Sequence, residues 1–271
     1  MDEPQNEEPQ AGPPEGWDGI LEGEEALYKE VVEVSKKAAS EGNATAQYAL
    51  GTAYYFGKGL PVNWKEAFEC YFKAATQGLP HAQYNLGVMY EKGEACPPNP
   101  QKAFLWYEKA ATQGFAKAQH NLAALWEAGL GTPPNPQKAA FWFEEAARQG
   151  DVRAQYRLAL LLLKEEALPS PPPPVQAPEN LPPPMPPQAL PETPLAMPLD
   201  MPPAFSEPLQ AGLYWLQKAL EQNFAPAKYT MGFLLEHGVG LAQNLEEARR
   251  LYAQAALREL PEAKAALERL K

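Results

Sequence analysis

The sequence predicts an all-α solenoid, a right-handed superhelical stack of helix–turn–helix units. The first observation is a period of 36 residues, at which glycine, alanine and leucine recur in register. A fixed period of about 20 to 50 residues indicates stacked units that bury their apolar faces against their neighbours. The second observation is the helical spacing of apolar residues within each period, and the third is the presence of Gly and Pro turn signals between the helical stretches. The recurring residues include Gly42, Gly78, Gly114 and Gly150, Ala46, Ala82, Ala118 and Ala154, and Leu50, Leu86, Leu122 and Leu158.

One unit, residues 79–114, illustrates the two helices. Asn99 precedes Pro100 at the start of the second helix, where an Asn side chain caps free N–H groups and a proline leaves no N–H unpaired. Gly114 ends the unit, because the residue after a helix commonly adopts a positive φ. The apolar faces are formed by Ala82, Leu86, Met89 and Tyr90 in the first helix, and by Ala103, Trp106, Tyr107, Ala110 and Ala111 in the second.

The motif of the unit reads A-Q-Y-x-L-G-x-x-Y-x-x-G, followed by K-A-x-x-W-Y-x-K-A-A-x-Q-G. It resembles the Sel1-like repeat, a relative of the tetratricopeptide repeat. The resemblance gives copies at 43–78, 79–114, 115–150 and 224–259, and an interrupted fourth copy that begins at Asp151. It implies an α-solenoid of stacked Sel1-like repeats, and we expect Asn223 to replace the C′ glycine of the fourth copy because Asn also tolerates positive φ.

The domain organisation follows from these copies. We expect a disordered acidic tail at 1–25, and a capping helix at 26–42. Repeats 1–3 and the first helix of repeat 4 occupy 43–166, and a proline-rich disordered insert follows at 167–207. The second helix of repeat 4, repeat 5 and a C-terminal capping helix occupy 208–271.

The tail and the insert account for the acidity of the chain. Most of the net charge of −11 lies in residues 1–25, and the folded remainder is close to neutral. The lack of a basic patch argues against nucleic-acid binding. The insert holds more than half of the 31 prolines. It is interpreted either as a ligand for a polyproline-reading domain or as a tolerated loop, and it has no basic residue of the kind that SH3 ligands carry.

No leader or membrane-spanning segment is predicted, so a cytoplasmic protein is expected. Secreted members of the resembled family can carry a disulfide within each repeat. The corresponding positions here hold alanines such as Ala75 and Ala82, which favours a reducing compartment. Cys70 takes a position that holds Trp106 in the next unit and is expected to be buried, whereas Cys96 lies in a turn.

Residue types needed for catalysis do not cluster in the sequence. The three histidines lie on different units, and no metal-ligand spacing, serine nucleophile motif or phosphate loop is present, so no cofactor is expected. The leading interpretation is a non-catalytic scaffold that binds a peptide or protein in the concave groove of the solenoid. The alternatives are a hydrolase of cell-wall or β-lactam type, as linked with some secreted relatives, and a module autoinhibited by its acidic tail.

Two sets of residues are candidates for binding a protein or peptide partner. We expect no binding to a membrane or to nucleic acid, and the sequence leaves the oligomeric state open. One position of the first helix is aromatic in every full unit and either contacts a peptide or packs between units. The other set combines cations and an amide, and it partly resembles the carboxylate clamp of tetratricopeptide domains. It either binds an acidic or C-terminal segment of a partner or is a solvated strip of surface charges. The aromatic set is Tyr48, Tyr84, His120, Tyr156 and Tyr229, and the basic set is Lys117, Asn121, Arg153 and Arg157.

Overall fold

The structure, a computed structural model, describes residues 18–163 and 207–270. All secondary structure in these residues is α-helical, which confirms the predicted all-α class. The predicted insert, apart from residue 207, and residues 1–17 of the predicted tail lie outside the described residues.

The chain divides after Gln77 into two compact units. The first unit contains α1 (Asp18–Ser40), α2 (Ala44–Phe56) and α3 (Trp64–Thr76). The second unit contains α4 (Pro80–Lys92), α5 (Pro100–Thr112), α6 (Ala116–Ala128), α7 (Pro136–Arg148), α8 (Val152–Leu163), α9 (Pro208–Glu221), α10 (Ala225–His237), α11 (Leu245–Ala256) and α12 (Pro261–Arg269). Even-numbered helices α2 to α10 are the first helices of the repeats, and odd-numbered helices α3 to α11 are the second helices.

Helix α1 begins at Asp18, whereas the predicted capping helix begins at residue 26. Residues 18–25 contain no proline to break the helix, and they include several carboxylates. Negative side chains near a helix N-terminus are favoured by the helix macrodipole. The acidic composition predicted disorder for residues 1–25, whereas the backbone is helical from residue 18.

Caps and left-handed residues set the ends of the helices as the sequence predicts. Asn99 Oδ1 accepts a hydrogen bond from the backbone N–H of Lys102 at 2.9 Å, and Pro100 lies in the first turn of α5. Gly114 has a φ of 85°, and Asn223, which replaces the glycine of the fourth repeat, has a φ of 59°. Asn63, Asn135 and Asn244 cap α3, α7 and α11 in the same way.

Close contact between paired helices depends on small residues. A Cβ atom added at Gly87 of α4 would lie 2.6 Å from the ring of Tyr107 of α5, so only a glycine fits there without a shift. The Tyr107 hydroxyl in turn donates a hydrogen bond of 2.6 Å to Glu91 Oε2 on α4. Glycine and tyrosine occupy the same pair of positions at Gly51 and Tyr71, and at Gly232 and Tyr252. The equivalent pairs in repeats 3 and 4 are Ala123 with Phe143, and Ala159 with Leu216.

Candidate partner-binding face

The first helices carry the predicted binding residues, all of which except Tyr48 lie in the second unit. Half-buried charged and polar residues of α6 and α8 form one continuous patch. We call this patch the α6/α8 face and define it as Lys117, His120, Glu127, Arg153 and Arg157.

The aromatic set packs between helices rather than facing outward. Tyr48, Tyr84 and Tyr156 are buried. The Tyr84 ring lies 5.8 Å from the Tyr107 ring and 5.3 Å from the Phe115 ring, measured between centroids. Burial of these three tyrosines favours the packing alternative for them.

The last member of the aromatic set differs from the buried tyrosines. Tyr229 packs against Tyr252 with ring centroids 5.4 Å apart, yet its side chain is only half-buried. Burial is the largest cause of its raised pKa, and Arg269 opposes that increase. Tyr229 therefore keeps surface that a ligand can contact.

His120 is the third position of the aromatic set and is held as a neutral imidazole. Its Nδ1 atom lies 3.6 Å from Asp151 Oδ1, and its ring packs edge-on against Phe143. Burial lowers the pKa of His120 to about 4, and the positive charges of Arg153 and Arg157 act in the same direction. At neutral pH the histidine therefore adds no charge to the α6/α8 face.

The predicted basic set is not a group of free cations. Arg157 Nη2 contacts Glu127 Oε2, and Arg153 Nη2 lies 3.9 Å from Asp151 Oδ2. Asp151 also accepts the backbone N–H of Ala154 at 2.8 Å, so its carboxylate is fixed at the start of α8. The predicted basic set included neither carboxylate, although Asp151 lies two residues before Arg153 in the sequence. Pairing leaves Lys117 as the cation of this set with no salt bridge within the described residues.

Besides His120 Nδ1, two buried polar groups beside this face have no hydrogen-bond partner in the described part of the chain. They are Tyr84 Oη and Asn121 Nδ2, in side chains that are 3% and 8% exposed. Burial raises the pKa of Tyr84 to about 12, and the Asn121 side chain opposes that rise, so the two groups are neighbours. Their geometry nevertheless does not meet the requirements of a hydrogen bond. Tyr84 and Asn121, both among the predicted binding residues, are therefore donors without a hydrogen bond among the described residues.

Glutamine side chains join the two halves of a repeat to each other and to the preceding repeat. Gln149 Nε2 donates to Gln119 Oε1 at 2.7 Å, and Gln119 Nε2 donates to the carbonyl of Ala111 in the preceding repeat at 3.2 Å. The signal was present in the sequence, because both glutamines belong to the repeated motif. The same side-chain bond joins Gln77 to Gln47, Gln113 to Gln83, and Gln222 to Gln155.

A separate polar cluster closes the C-terminal repeat. Glu236 accepts a hydrogen bond from the Tyr252 hydroxyl at 2.7 Å and contacts the Arg269 guanidinium at 2.7 Å. The pKa of Glu236 is lowered because these two bonds and the arginine charge outweigh its burial. The carboxylate is therefore fully occupied within the fold.

The described residues include side chains of metal-ligating types and both thiols of the chain. No three His, Cys, Asp or Glu side chains within 18–163 and 207–270 come together to hold a metal ion. Cys70 is buried as predicted, and burial raises its pKa to about 11. Cys96 is half-buried and also has a raised pKa, so neither thiol is activated as a nucleophile. None of the helices within the described ranges combines the length and apolarity that crossing a bilayer requires.

The sequence pattern of the Sel1 repeat matches six segments, at 44–79, 80–115, 116–151, 152–169, 209–224 and 225–259. The chain belongs to the Sel1 repeat family. Each match to a complete repeat begins one residue after the predicted copy. The fourth repeat is matched in two pieces, 152–169 and 209–224, which leave residues 170–208 unmatched between them.

Solved structures share this fold. The chain is 26% identical to a protective antigen present in uropathogenic Escherichia coli strains that displays an SLR fold, with a TM-score of 0.71 over 89% of this chain and 44% of that one. It is 24% identical to a Sel1 repeat protein from Oxalobacter formigenes, with a TM-score of 0.69 over 92% of this chain and 84% of that one. These similarities confirm the α-solenoid of Sel1 repeats.

A curated relative matches a shorter stretch. Chitin synthase regulatory factor 3 of Schizosaccharomyces pombe is 37% identical over 59 residues, which cover 22% of this chain and 6% of the relative. The chain therefore spans a small part of the yeast protein and less than half of the E. coli antigen. Sel1 repeat proteins generally act as protein-interaction scaffolds and are typically non-catalytic.

Proposed function

We propose that this Sel1 repeat protein is a non-catalytic scaffold that binds a peptide segment of a partner protein in the concave groove formed by its first helices. The acidic or C-terminal part of that peptide is proposed to lie on the α6/α8 face. The observation that carries the proposal is this face itself, where half-buried charged side chains of two neighbouring first helices lie over a tightly filled apolar core.

The core beneath the face supports a rigid binding surface. Ala118, Leu122, Ala154 and Ala159 are completely buried, so the backbones of α6 and α8 are held by close packing. A rigid surface loses little entropy when a ligand binds, which favours an extended peptide over a partner that must reshape the site. The yeast relative is named as a regulatory factor, which agrees with a role through binding rather than catalysis.

The experiment selects peptides from a displayed library of twelve-residue random sequences with free C-termini, using the immobilised full chain. The affinity of a selected peptide is then measured by fluorescence anisotropy. Reversal of two cations, Lys117→Glu with Arg153→Glu, is expected to weaken binding at least tenfold. The matched control is Lys109→Glu with Lys138→Glu, which makes the same charge change on the second helices α5 and α7.

Circular dichroism melting of both double variants verifies that they remain folded. The proposal is supported if the α6/α8 variant loses binding and the control retains it. It is overturned if no peptide binds saturably, or if both variants bind as tightly as the unaltered chain.

A further inference from the structure

Two hydrogen-bonding groups at the base of the α6/α8 face are buried and unused. Tyr84 Oη and Asn121 Nδ2 make no hydrogen bond within the described residues, although their side chains are only 3% and 8% exposed. A buried polar group without a partner costs about 1–3 kcal/mol, and buried polar groups in folded proteins are nearly always paired. A ligand atom that accepts hydrogen bonds at this position removes that cost.

Two cations lie beside these donors. Lys117 precedes Asn121 by one turn of α6. Arg153 of α8 lies 3.9 Å from Asp151, and the same carboxylate lies 3.6 Å from His120 of α6, so the two helices meet at this carboxylate. The pKa of Lys117 is lowered by burial and by the charge of Arg153, which agrees with this arrangement.

The Tyr84 ring packs 5.3 Å from the ring of Phe115, the residue that precedes α6, so the tyrosine lies beside the end of α6 that carries Lys117. Lysine, arginine and the asparagine amide are donors, and the tyrosine hydroxyl can donate as well. The site therefore fits a ligand that only accepts.

The surrounding carboxylates limit the charge of that ligand. Asp151 lies 3.9 Å from Arg153 and also acts on Lys117, so Lys117 and Arg153 exceed it by one positive charge. Arg157 is neutralised by contact with Glu127. The carboxylate of Glu91, which accepts the Tyr107 hydroxyl at 2.6 Å, also acts on Tyr84. With Glu91 the surroundings hold two cations and two carboxylates, so each further negative charge on a ligand is opposed more strongly. A group with a single negative charge is therefore preferred over a doubly charged phosphate.

We propose that Tyr84, Lys117, Asn121 and Arg153 form a subsite that binds one carboxylate group and rejects a phosphate group. Arg153 can hold both carboxylate oxygens, and Tyr84 and Asn121 bond to the same group from below. The inference deepens the proposed function, because the carboxylate is that of the bound peptide. Two of the three cations of this face are paired with carboxylates. The subsite therefore provides recognition of an acidic or C-terminal segment that these cations do not provide alone.

The first test uses small probes on the full chain. The side-chain amide signal of Asn121, identified by its loss in Asn121→Ser, is followed by ¹⁵N NMR at constant ionic strength. N-acetylglycine, which carries one carboxylate, is expected to shift this signal saturably, whereas its neutral amide leaves the signal unchanged. Inorganic phosphate at pH 7.4 is expected to bind at least ten times more weakly than N-acetylglycine. Equal binding of phosphate and carboxylate overturns the argument from charge.

Single-atom variants provide the matched control. Tyr84→Phe removes only the hydroxyl and keeps the ring that packs on Tyr107, so N-acetylglycine is expected to bind roughly 2- to 10-fold more weakly, as for the loss of one hydrogen bond. Tyr252→Phe removes an equally buried hydroxyl in repeat 5, which bonds to Glu236 at 2.7 Å, and is expected to leave binding unchanged. Equal effects of the two variants contradict the subsite.

The second test separates this inference from the proposed function. A selected peptide is compared with its C-terminal amide and with a form whose acidic side chains are replaced by Gln or Asn. Loss of affinity in one form identifies the source of the carboxylate. If all forms bind equally and N-acetylglycine leaves Asn121 unchanged, the subsite is wrong and the scaffold function stands. If N-acetylglycine binds but no peptide does, the subsite stands and the peptide-binding function is wrong.

Discussion

Gly87 offers the sharpest test of how the helices of a repeat fit together. In an exposed helix, replacing Gly by Ala stabilises by about 1 kcal/mol, because alanine restricts the unfolded chain and favours the helix. At Gly87 the added Cβ would lie 2.6 Å from the Tyr107 ring, which is fully buried and tied to Glu91 by its hydroxyl. Overpacking of a filled core costs about 1–3 kcal/mol. The expected net effect of Gly87→Ala is a destabilisation of up to about 2 kcal/mol.

The chain itself indicates a compensating change. Repeat 3 holds Ala123 and Phe143 at the equivalent positions, so an alanine is tolerated where the opposing ring carries no hydroxyl. Tyr107→Phe alone gives up the hydrogen bond to Glu91, at a cost of about 1–2 kcal/mol. In the double variant the untethered ring can move away from the new methyl group. We therefore expect the Gly87→Ala penalty to shrink by at least about 1 kcal/mol in the Tyr107→Phe background.

Urea unfolding followed by circular dichroism measures the three free energies of the cycle. Ala123→Gly serves as the control and should cost about 1 kcal/mol, because it removes a helix-favouring methyl group without relieving a clash. A Gly87→Ala protein that is more stable than the unaltered chain would refute the reasoning. So would equal Gly87→Ala penalties in the unaltered and Tyr107→Phe backgrounds, since the hydroxyl tether would then have no part in the fit.

Other perturbations test the buried polar and sulfur groups. Gln149→Ala should destabilise by about 1–2 kcal/mol in urea unfolding, because it removes the donor to buried Gln119. Cys70→Ala should destabilise by about 1–2 kcal/mol, and native Cys70 should react with a thiol reagent more slowly than Cys96; faster labelling of Cys70 would contradict its burial. The folded-state pKa of His120, about 4, lies below its ordinary value of 6.5, so the unfolded chain takes up the proton first. Stability should therefore fall as the pH drops from about 6.5 to 4, by at most roughly 3 kcal/mol, and melting curves of His120→Gln should show a shallower slope.

The repeat signals were sufficient to predict the fold. Asn99, Gly114 and Asn223 impose local backbone conformations whose physics does not depend on distant residues. Their positions, repeated every 36 residues, define where helices begin and end. The start of α1 at Asp18 could not be read in this way, because this stretch has neither a cap motif nor a repeat partner and its acidity pointed to disorder.

The sequence indicated which helix positions the candidate residues occupy, but not which carboxylates they contact. Register placed Lys117 on the first helix of one repeat and Arg153 and Arg157 on the first helix of the next, and these helices are α6 and α8. It did not show that Arg157 reaches Glu127, thirty residues earlier in the chain, because that contact depends on side-chain conformation. Burial of the tyrosine at position 84 likewise depends on how closely α4, α5 and α6 pack. Periodicity indicates which face a residue occupies but not how deeply it lies.

The glutamine pairs have a consequence for how the solenoid opens. In repeat 5 their positions are taken by Lys228 and Arg258, and Lys228 instead donates to Asn223 at 3.1 Å. Gln119 and Gln155 each donate a side-chain hydrogen bond to a backbone carbonyl of the preceding repeat. Repeat 5, which has Lys228 at this position, lacks that glutamine bond. In a linear array, neighbour contacts set the cooperativity of unfolding. Helices α10 to α12 should therefore fray as a separate segment, with amide hydrogens that exchange ahead of those in α6 to α8.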